Sequence, residues 1–273
     1  MWSNANRVAK NWCPGVHRGF KTLLSSRLAR RFDFALPRLI AGRIVWTHPS
    51  LFSVPAPEEH IINWVSRLLR RGGTFFDVGA HCGWVSMNAA RHVGNSGKVI
   101  AFEGSPALVE FLAYHKRVNR FGQIKIVPKV VSDLNADGVP FFLVNDGFSF
   151  RNSLTIGAEN APYISVNEKT NCEVPSTTLD RYVDETGDIP DMIKIDVEGA
   201  ELLVLRGAER LLRSIRPYLV VGLHPYWLPE SQKSTDIFDL LKAFRYEIVD
   251  EHLVPFEGGD LGDYLCAPGR NSQ

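Results

Sequence analysis

The chain has 273 residues, of which 45% are hydrophobic and 22% charged, and its formal net charge is +1. This is globular composition, and the length allows one large domain or a domain with an appendage. The four cysteines form no CxxC pair and have no spacing typical of a zinc site or a disulfide framework.

The charge is unevenly distributed along the chain. Residues 1–71 hold twelve Lys/Arg against three Asp/Glu, whereas residues 72–273 hold nineteen against twenty-seven. Basic and apolar residues interleave over 18–32, which predicts a short basic amphipathic helix in an N-terminal extension over 1–56. This helix either docks on the protein with a solvated basic face or contacts anionic lipid as a peripheral membrane segment. No apolar run is long enough for a membrane span or a signal peptide, so we expect a soluble, cytoplasmic protein.

Helical and strand patterns alternate from residue 58 onward. A helix over 58–70 leads into five apolar runs typical of buried strands, at 74–78, 98–102, 124–131, 192–195 and 218–223. Helical patterns begin near 84, 106 and 198, the last of them expected to bury residues as far as Ile215. This alternation predicts an α/β fold of the Rossmann type, a mainly parallel sheet with helices on both faces. Pro128 places the third strand at an edge.

Two further regions complete the main domain, which we predict over 57–273. Residues 134–190 contain a strand, an Asn-Asp-Gly turn and a second strand, which predicts a β-rich insertion above the carboxyl edge of the sheet. Residues 246–267 predict two more strands, which would close the sheet as an antiparallel hairpin.

The turn after the first strand is the main clue to a cofactor. A dinucleotide site typically has the pattern Gly-x-Gly-x-x-Gly. Here the turn has only two glycines, Gly79 and Gly83, and Asp77 lies two residues before the first of them. An acid there would repel a pyrophosphate but would suit the ammonium of an amino-acid-bearing cofactor. Glu103, at the end of the second strand, would accept both ribose hydroxyls, although alone it could be a helix-cap charge. Together these residues favour S-adenosylmethionine over a dinucleotide.

Titratable residues also end the fourth and fifth strands. Asp196 and His224 would lie at the carboxyl edge of the sheet, where either could remove a proton from a hydroxyl acceptor. Alternatively, Asp196 caps the next helix and His224 is a turn residue. Lys194 lies on the same side of its strand as Asp196 and is expected to orient Glu198 or Glu201. A divalent ion held by Asp196 and Glu198 is a minor alternative, because both offer hard oxygens, but two carboxylates do not by themselves make a metal site, and no metal is predicted.

Several motifs resemble the FkbM-type methyltransferase family: FFDVGAHCGW, AFEGSP, VVSD, STTLD and above all IKIDVEGAELLVLRGAE from 193 to 209. The resemblance covers about residues 72–225. It implies a class I S-adenosylmethionine-dependent methyltransferase that methylates a hydroxyl of a sugar, glycolipid or other small metabolite, with Lys194, Asp196 and Glu198 facing the reaction centre beside His224. The cofactor contacts that it implies, with their neighbours in the motifs, are Asp77, Gly79, Ala80, His81, Gly83, Trp84, Glu103, Gly104, Ser132 and Asp133.

Two positions depart from the family pattern. His81 stands where relatives usually have asparagine, and Gly222 stands where many have an acid two residues before His224. The partner that the resemblance implies is a small hydroxylated substrate, carbohydrate or lipid-linked, and no nucleic acid is expected. Two alternatives stay open: a nicotinamide-dependent oxidoreductase, against which the missing third glycine argues, and a non-catalytic binding protein, which Gly222 leaves open.

Overall fold

The computed structural model describes residues 35–40, 42–51, 59–144, 152–154, 169–255 and 261–269. The strands are β1 (Leu36–Ile40), β2 (Arg43–Thr47), β3 (Thr74–Val78), β4 (Lys98–Phe102), β5 (Ile124–Val127), β6 (Val130–Val131), β7 (Ala136–Val144), β8 (Lys169–Thr177), β9 (Met192–Ile195), β10 (Tyr218–Leu223), β11 (Tyr246–Val249) and β12 (Gly262–Pro268). The helices are α1 (Glu59–Leu68), α2 (Trp84–Val93), α3 (Pro106–Val118), α4 (Leu179–Thr186), α5 (Glu201–Arg206), α6 (Glu209–Ser214) and α7 (Ser234–Ala243).

The central sheet has the order β11-β12-β10-β9-β3-β4-β5. β3, β4, β5, β9 and β10 are parallel, and β12 runs antiparallel to both β10 and β11. The first strand of this sheet in chain order, β3, therefore lies in its middle. Later strands are added on both sides, and β11 and β12 close one edge as an antiparallel pair. This confirms the predicted fold and the C-terminal hairpin.

Helices cover both faces of this sheet because alternate strand residues point to opposite sides. One apolar cluster joins Phe76 and Ile193 to helices α4, α5, α6 and α7. The other joins Phe75 and Met192 to α1, α2 and α3. The carboxyl ends of β3, β4, β9 and β10 are left at one edge, where the candidate residues lie.

The third predicted strand is at the edge of the sheet, as Pro128 requires, but it is shorter than expected. β5 ends at Val127, and the chain continues as β6, which pairs with β8 in a separate sheet of order β6-β8-β7. Proline has no N–H for a ladder hydrogen bond, so the strand divides there. The second sheet lies within the predicted β-rich region, apart from β6, and residues 145–151 and 155–168 between its strands are outside the described residues.

The predicted helix from residue 198 is wrong in extent. It begins at Glu201 and divides into α5 and α6 at Gly207, whose carbonyl oxygen accepts from the Asp180 N–H at 3.0 Å. The N–H groups of Arg210 and Leu211 donate to the Asp180 carboxylate at 2.9 and 2.8 Å. Ile215, expected to be buried, is 42% exposed.

The N-terminal part that the structure describes is an antiparallel hairpin of β1 and β2. The predicted basic helix over 18–32 lies outside the described residues, and the division at residue 56 stays a prediction. None of the described helices has the length and apolar character needed to cross a membrane.

Candidate active site

The glycine turn after β3 is held against the end of β9. Gly79 and Ala80 both donate backbone hydrogen bonds to the Phe102 carbonyl oxygen, at 3.1 and 2.9 Å. Gly79 has a φ of +77°, and a Cβ there would lie 1.9 Å from the carbonyl oxygen of Asp196. Only glycine fits this position, because both the left-handed backbone and the close approach exclude a side chain. The turn and the end of β9 therefore form one rigid unit.

Asp77 lies beneath this turn and is fully buried. Ser86 Oγ donates to Asp77 Oδ2 at 2.5 Å, and Lys194 Nζ lies 3.5 Å from Oδ1. Asp77 and Lys194 are direct neighbours across the β3–β9 ladder, which explains the contact. The positive charge beside Asp77 in this structure is thus the lysine, and Asp77 does not line the cavity described below.

Glu103 ends β4 and is 6% exposed. Its carboxylate accepts hydrogen bonds from the backbone N–H groups of His81, at 2.7 Å, and Ser105, at 2.8 Å. Burial raises the pKa of Glu103 to about 7, although both backbone hydrogen bonds oppose the shift. A carboxylate fixed by two backbone donors retains acceptor capacity toward a ligand.

The end of the glycine turn packs against the protein rather than against the cavity. An added Cβ on Gly83 would lie 2.3 Å from Leu112 Cδ1, and Trp84 stacks on His115 with ring centroids 5.1 Å apart. His48 N–H donates to His115 Nε2 at 3.1 Å, so Nδ1 carries the proton that it donates to the Cys82 carbonyl at 2.7 Å. Burial lowers the pKa of His115 to about 4, which keeps this neutral tautomer in place. His115 thereby ties β2 to the turn.

A cavity opens between the two halves of the carboxyl edge. Its lining includes six of the predicted cofactor or catalytic positions, which are Gly79, His81, Glu103, Gly104, Asp196 and Glu198. Apolar walls come from Val78, Phe102, Leu108, Val130, Val131, Phe141, Leu154, Val197 and Ala200. The predicted residues outside this lining are Asp77, Ala80, Gly83, Trp84, Ser132, Asp133, Lys194 and His224.

Asp196 and Lys194 form an ion pair at the end of β9. Lys194 Nζ lies 3.0 Å from Asp196 Oδ2 and donates to the Gly79 carbonyl at 3.3 Å. The expectation that Lys194 orients Glu198 or Glu201 is wrong, because the ladder places it between Asp77 and Asp196 instead. Burial would raise the pKa of Asp196, but the charges of Lys194 and His224 outweigh it and lower the pKa. Asp196 does not cap the following helix, which begins at Glu201 after Ala200.

His224 follows β10 and points its two ring nitrogens at different acids. Nδ1 lies 2.9 Å from Oε1 of the fully buried Glu201. Nε2 lies 3.6 Å from Asp196 Oδ1 and 3.7 Å from Glu198 Oε1. Burial lowers the pKa of His224, but the three carboxylates raise it to about 10.

Gly222 faces the same group of side chains. An added Cβ would lie 3.3 Å from both Asp196 Oδ1 and Asp263 Oδ1. Asp263 is the direct neighbour of Gly222 across the β10–β12 ladder, and it accepts from His60 Nε2 at 2.9 Å. An acidic group therefore lies beside position 222 although the residue there is glycine.

Sequence reasoning missed two contributions to the site. Glu201 was not assigned to His224, because the two are far apart in sequence and only the fold brings them together. Phe141, Asn152 and Leu154 come from the second sheet and its connection, and no linear pattern shows that they turn toward the cavity.

The parallel sheet with its antiparallel closing strands, and the acid-bearing turns at its carboxyl edge, define a class I S-adenosylmethionine-dependent methyltransferase fold. The profile of the Methyltransferase FkbM domain family matches residues 77–248, more than half of the chain. The chain therefore belongs to the FkbM methyltransferase family. No curated protein sequence matches it significantly.

Solved structures resemble the chain at low identity. The methyltransferase FkbM from Methylobacillus flagellatus is 17% identical, with a TM-score of 0.45 over 75% of this chain and 50% of that one. Fibrillarin from Aeropyrum pernix, in complex with natively bound S-adenosyl-L-methionine, is 13% identical, with a TM-score of 0.42 over 73% and 67%. A SAM-dependent O-methyltransferase from Thermotoga maritima is 13% identical, with a TM-score of 0.41 over 81% and 68%. This chain spans about half the length of the Methylobacillus protein.

Proposed function

We propose that this protein binds S-adenosylmethionine in the cavity between Glu103 and Asp196 and methylates a hydroxyl of a small molecule. The observation that carries the proposal is the position of Asp196, whose carboxylate is 35% exposed and lines the same cavity as the buried Glu103. A cofactor held at Glu103 would thus lie beside a group that can accept a proton.

The residues present fit the cofactor that the family implies. Glu103 offers a fixed carboxylate for two ribose hydroxyls, and Leu108, Val130 and Phe141 offer an apolar space for a base. When bound, S-adenosylmethionine would supply a sulfonium methyl group, which the acceptor oxygen takes as the S–C bond breaks and the sulfur keeps the electron pair.

The chain's own residues would handle the proton and the geometry. Asp196 would accept the proton that the acceptor hydroxyl loses, and Lys194 would hold Asp196 in place through its 3.0 Å contact. His224, oriented by Glu201, would close the far side of the site. A carbohydrate or lipid-linked acceptor and a cytoplasmic location stay predictions. Docking on the protein and contact with lipid both stay open for the N-terminal segment.

The test is methyl transfer from labelled S-adenosylmethionine to a library of sugars, glycolipids and polar extracts, with products analysed by mass spectrometry. We expect a singly methylated product whose new methyl group is an ether by NMR. A methylamine product would contradict the hydroxyl acceptor. Cofactor binding without any product across the library would favour the non-catalytic binding protein.

A further inference from the structure

Asp196, Glu198 and His224 converge at the carboxyl ends of β9 and β10. One ligand atom from each lies within 4.8 Å of the others, and the residues come from two strand ends rather than from one exposed surface. Glu198 is buried, at 8% exposure, while Asp196 and His224 are half-buried. Hard carboxylate oxygens with one imidazole nitrogen are a donor set that divalent first-row cations accept.

The spacing is that of ligands around an ion rather than of hydrogen-bonded pairs. His224 Nε2 lies 3.6 Å from Asp196 Oδ1 and 3.7 Å from Glu198 Oε1, both longer than a hydrogen bond. Two atoms bound to one ion at about 2.1 Å lie roughly 3 to 3.5 Å apart. For these two pairs a contraction of a few tenths of an ångström would reach that spacing, and the ligand atoms of Asp196 and Glu198 lie within 4.8 Å of each other.

Glu201 provides a second, independent observation. It is fully buried, its Oε1 accepts from His224 Nδ1 at 2.9 Å, and its Oε2 has no hydrogen-bond partner. Metal-binding histidines commonly donate their other ring N–H to a carboxylate, which fixes the ring and directs the remaining nitrogen at the ion.

The loop that carries Glu198 is held in one conformation. Glu198 has a φ of +52°, and Ser153 Oγ donates to its carbonyl oxygen at 2.6 Å. The position of Glu198 is thus set by the fold before any ligand arrives.

We propose that Asp196, Glu198 and His224 bind one divalent cation of the Mn²⁺ type, with Glu201 as the positioning residue for His224. Three protein ligands leave positions open for water or a substrate oxygen. The catalytic role of the ion rests on the proposed function. A substrate hydroxyl bound at an open position of the ion would become more acidic, and its proton would leave for Asp196 or water.

The first test is Mn²⁺ titration of the chelator-stripped full chain, followed by electron paramagnetic resonance. We expect one ion per chain. Glu201→Gln removes an outer-sphere partner and should weaken Mn²⁺ binding by roughly 10- to 100-fold. Glu198→Gln and His224→Gln each remove a ligand and should weaken binding by more than that. The control is Glu209→Gln, an exposed acid on α6, which should bind like the wild type.

A spin-echo measurement on the wild-type protein does not depend on how the variants fold. It should show coupling of the bound Mn²⁺ to an imidazole nitrogen. Absence of one-to-one binding, absence of the nitrogen coupling, or equal affinity in folded Glu198→Gln and His224→Gln would overturn the site.

Two further results separate this proposal from the proposed function. Full methyl transfer in the presence of a chelator would remove the catalytic role of the ion and leave the methyltransferase proposal standing. Nitrogen-coupled Mn²⁺ binding without methylation of any acceptor would support the metal site and contradict the methyltransferase proposal.

Discussion

The two sides of the cavity differ in how their polar groups are satisfied. On the Glu103 side, the carboxylate accepts two backbone N–H groups, and the turn beside it is fixed by His115 and by close packing at Gly83. On the Asp196 side, carboxylates and an imidazole face one another at 3.6 and 3.7 Å. The difference indicates that backbone donors hold the Glu103 side, whereas charged side chains hold the Asp196 side, including the 3.0 Å contact between Lys194 Nζ and Asp196 Oδ2.

The largest expected effect is a loss of stability at Gly79, where the two sides of the cavity are in contact. Gly79→Ala would place a Cβ 1.9 Å from the Asp196 carbonyl oxygen. Gly187 has a similar φ of +69°, but a Cβ there would have no atom within 4 Å, so Gly187→Ala is the matched control. We expect Gly187→Ala to lower the free energy of unfolding by about 1 kcal/mol through backbone strain. Gly79→Ala should lower it by about 3 kcal/mol more through overpacking. Urea unfolding measures both, and equal losses would show that the two sides are not held together at Gly79.

His115 should make the Glu103 side sensitive to acid. Its pKa is about 4 in the folded protein against 6.5 ordinarily, so the unfolded chain takes up a proton first as the pH falls. The contribution of neutral His115 to the stability of the fold is therefore complete above pH 6.5 and is lost as the pH falls toward 4. The free energy of unfolding should fall by about 3 kcal/mol over this range. Urea unfolding of the wild type and of His115→Gln across this pH range gives the difference between their free energies of unfolding. The contributions of all other titrating groups cancel in this difference. A difference independent of pH would contradict the role of the buried neutral imidazole.

Asp196→Asn tests the side of the cavity that charged side chains hold. Loss of the carboxylate should lower the rate of methyl transfer by about 100-fold or more while S-adenosylmethionine affinity changes little. The matched control is Asp184→Asn, an exposed acid paired with Arg210 on the outer surface. Initial rates and calorimetric affinities are measured on both variants. A normal rate in Asp196→Asn would remove this residue from the chemistry.

The smallest effect is the pH dependence of cofactor affinity at Glu103. Its pKa of about 7 means that the carboxylate is ionised above neutrality and protonated below it, with Lys194 favouring and Asp77 opposing the charge. Affinity should fall about tenfold for each pH unit below 7, because only the ionised form accepts both hydroxyls. The ratio of wild-type to Glu103→Gln affinity isolates this titration from that of the cofactor. A ratio that stays constant from mildly acidic to mildly basic pH would contradict the assignment.

The fold was predictable to the extent that its parts are local. The buried runs around Phe76, Ile100 and Ile193 are apolar on both faces, so the parallel strands and their order of appearance follow from pattern alone. The break between α5 and α6 was not predictable, because the backbone groups at the break hydrogen-bond to Asp180, which lies in a different part of the chain.

The site was predictable only at the level of strand ends. Glu103 and Asp196 were placed at the carboxyl edge because parallel strands end there. The pairing of Lys194 with Asp77 depends on ladder register, and that of Glu201 with His224 depends on how α5 packs beside β10. Such contacts leave no periodic signal in one sequence.

The most direct test of the central claim is calorimetric titration of the full chain with S-adenosylmethionine, with NAD⁺ in parallel. We expect one binding site for S-adenosylmethionine, with a lower affinity in Glu103→Gln, and no binding of NAD⁺. Binding of NAD⁺ with no response to S-adenosylmethionine would contradict the assignment of the cavity.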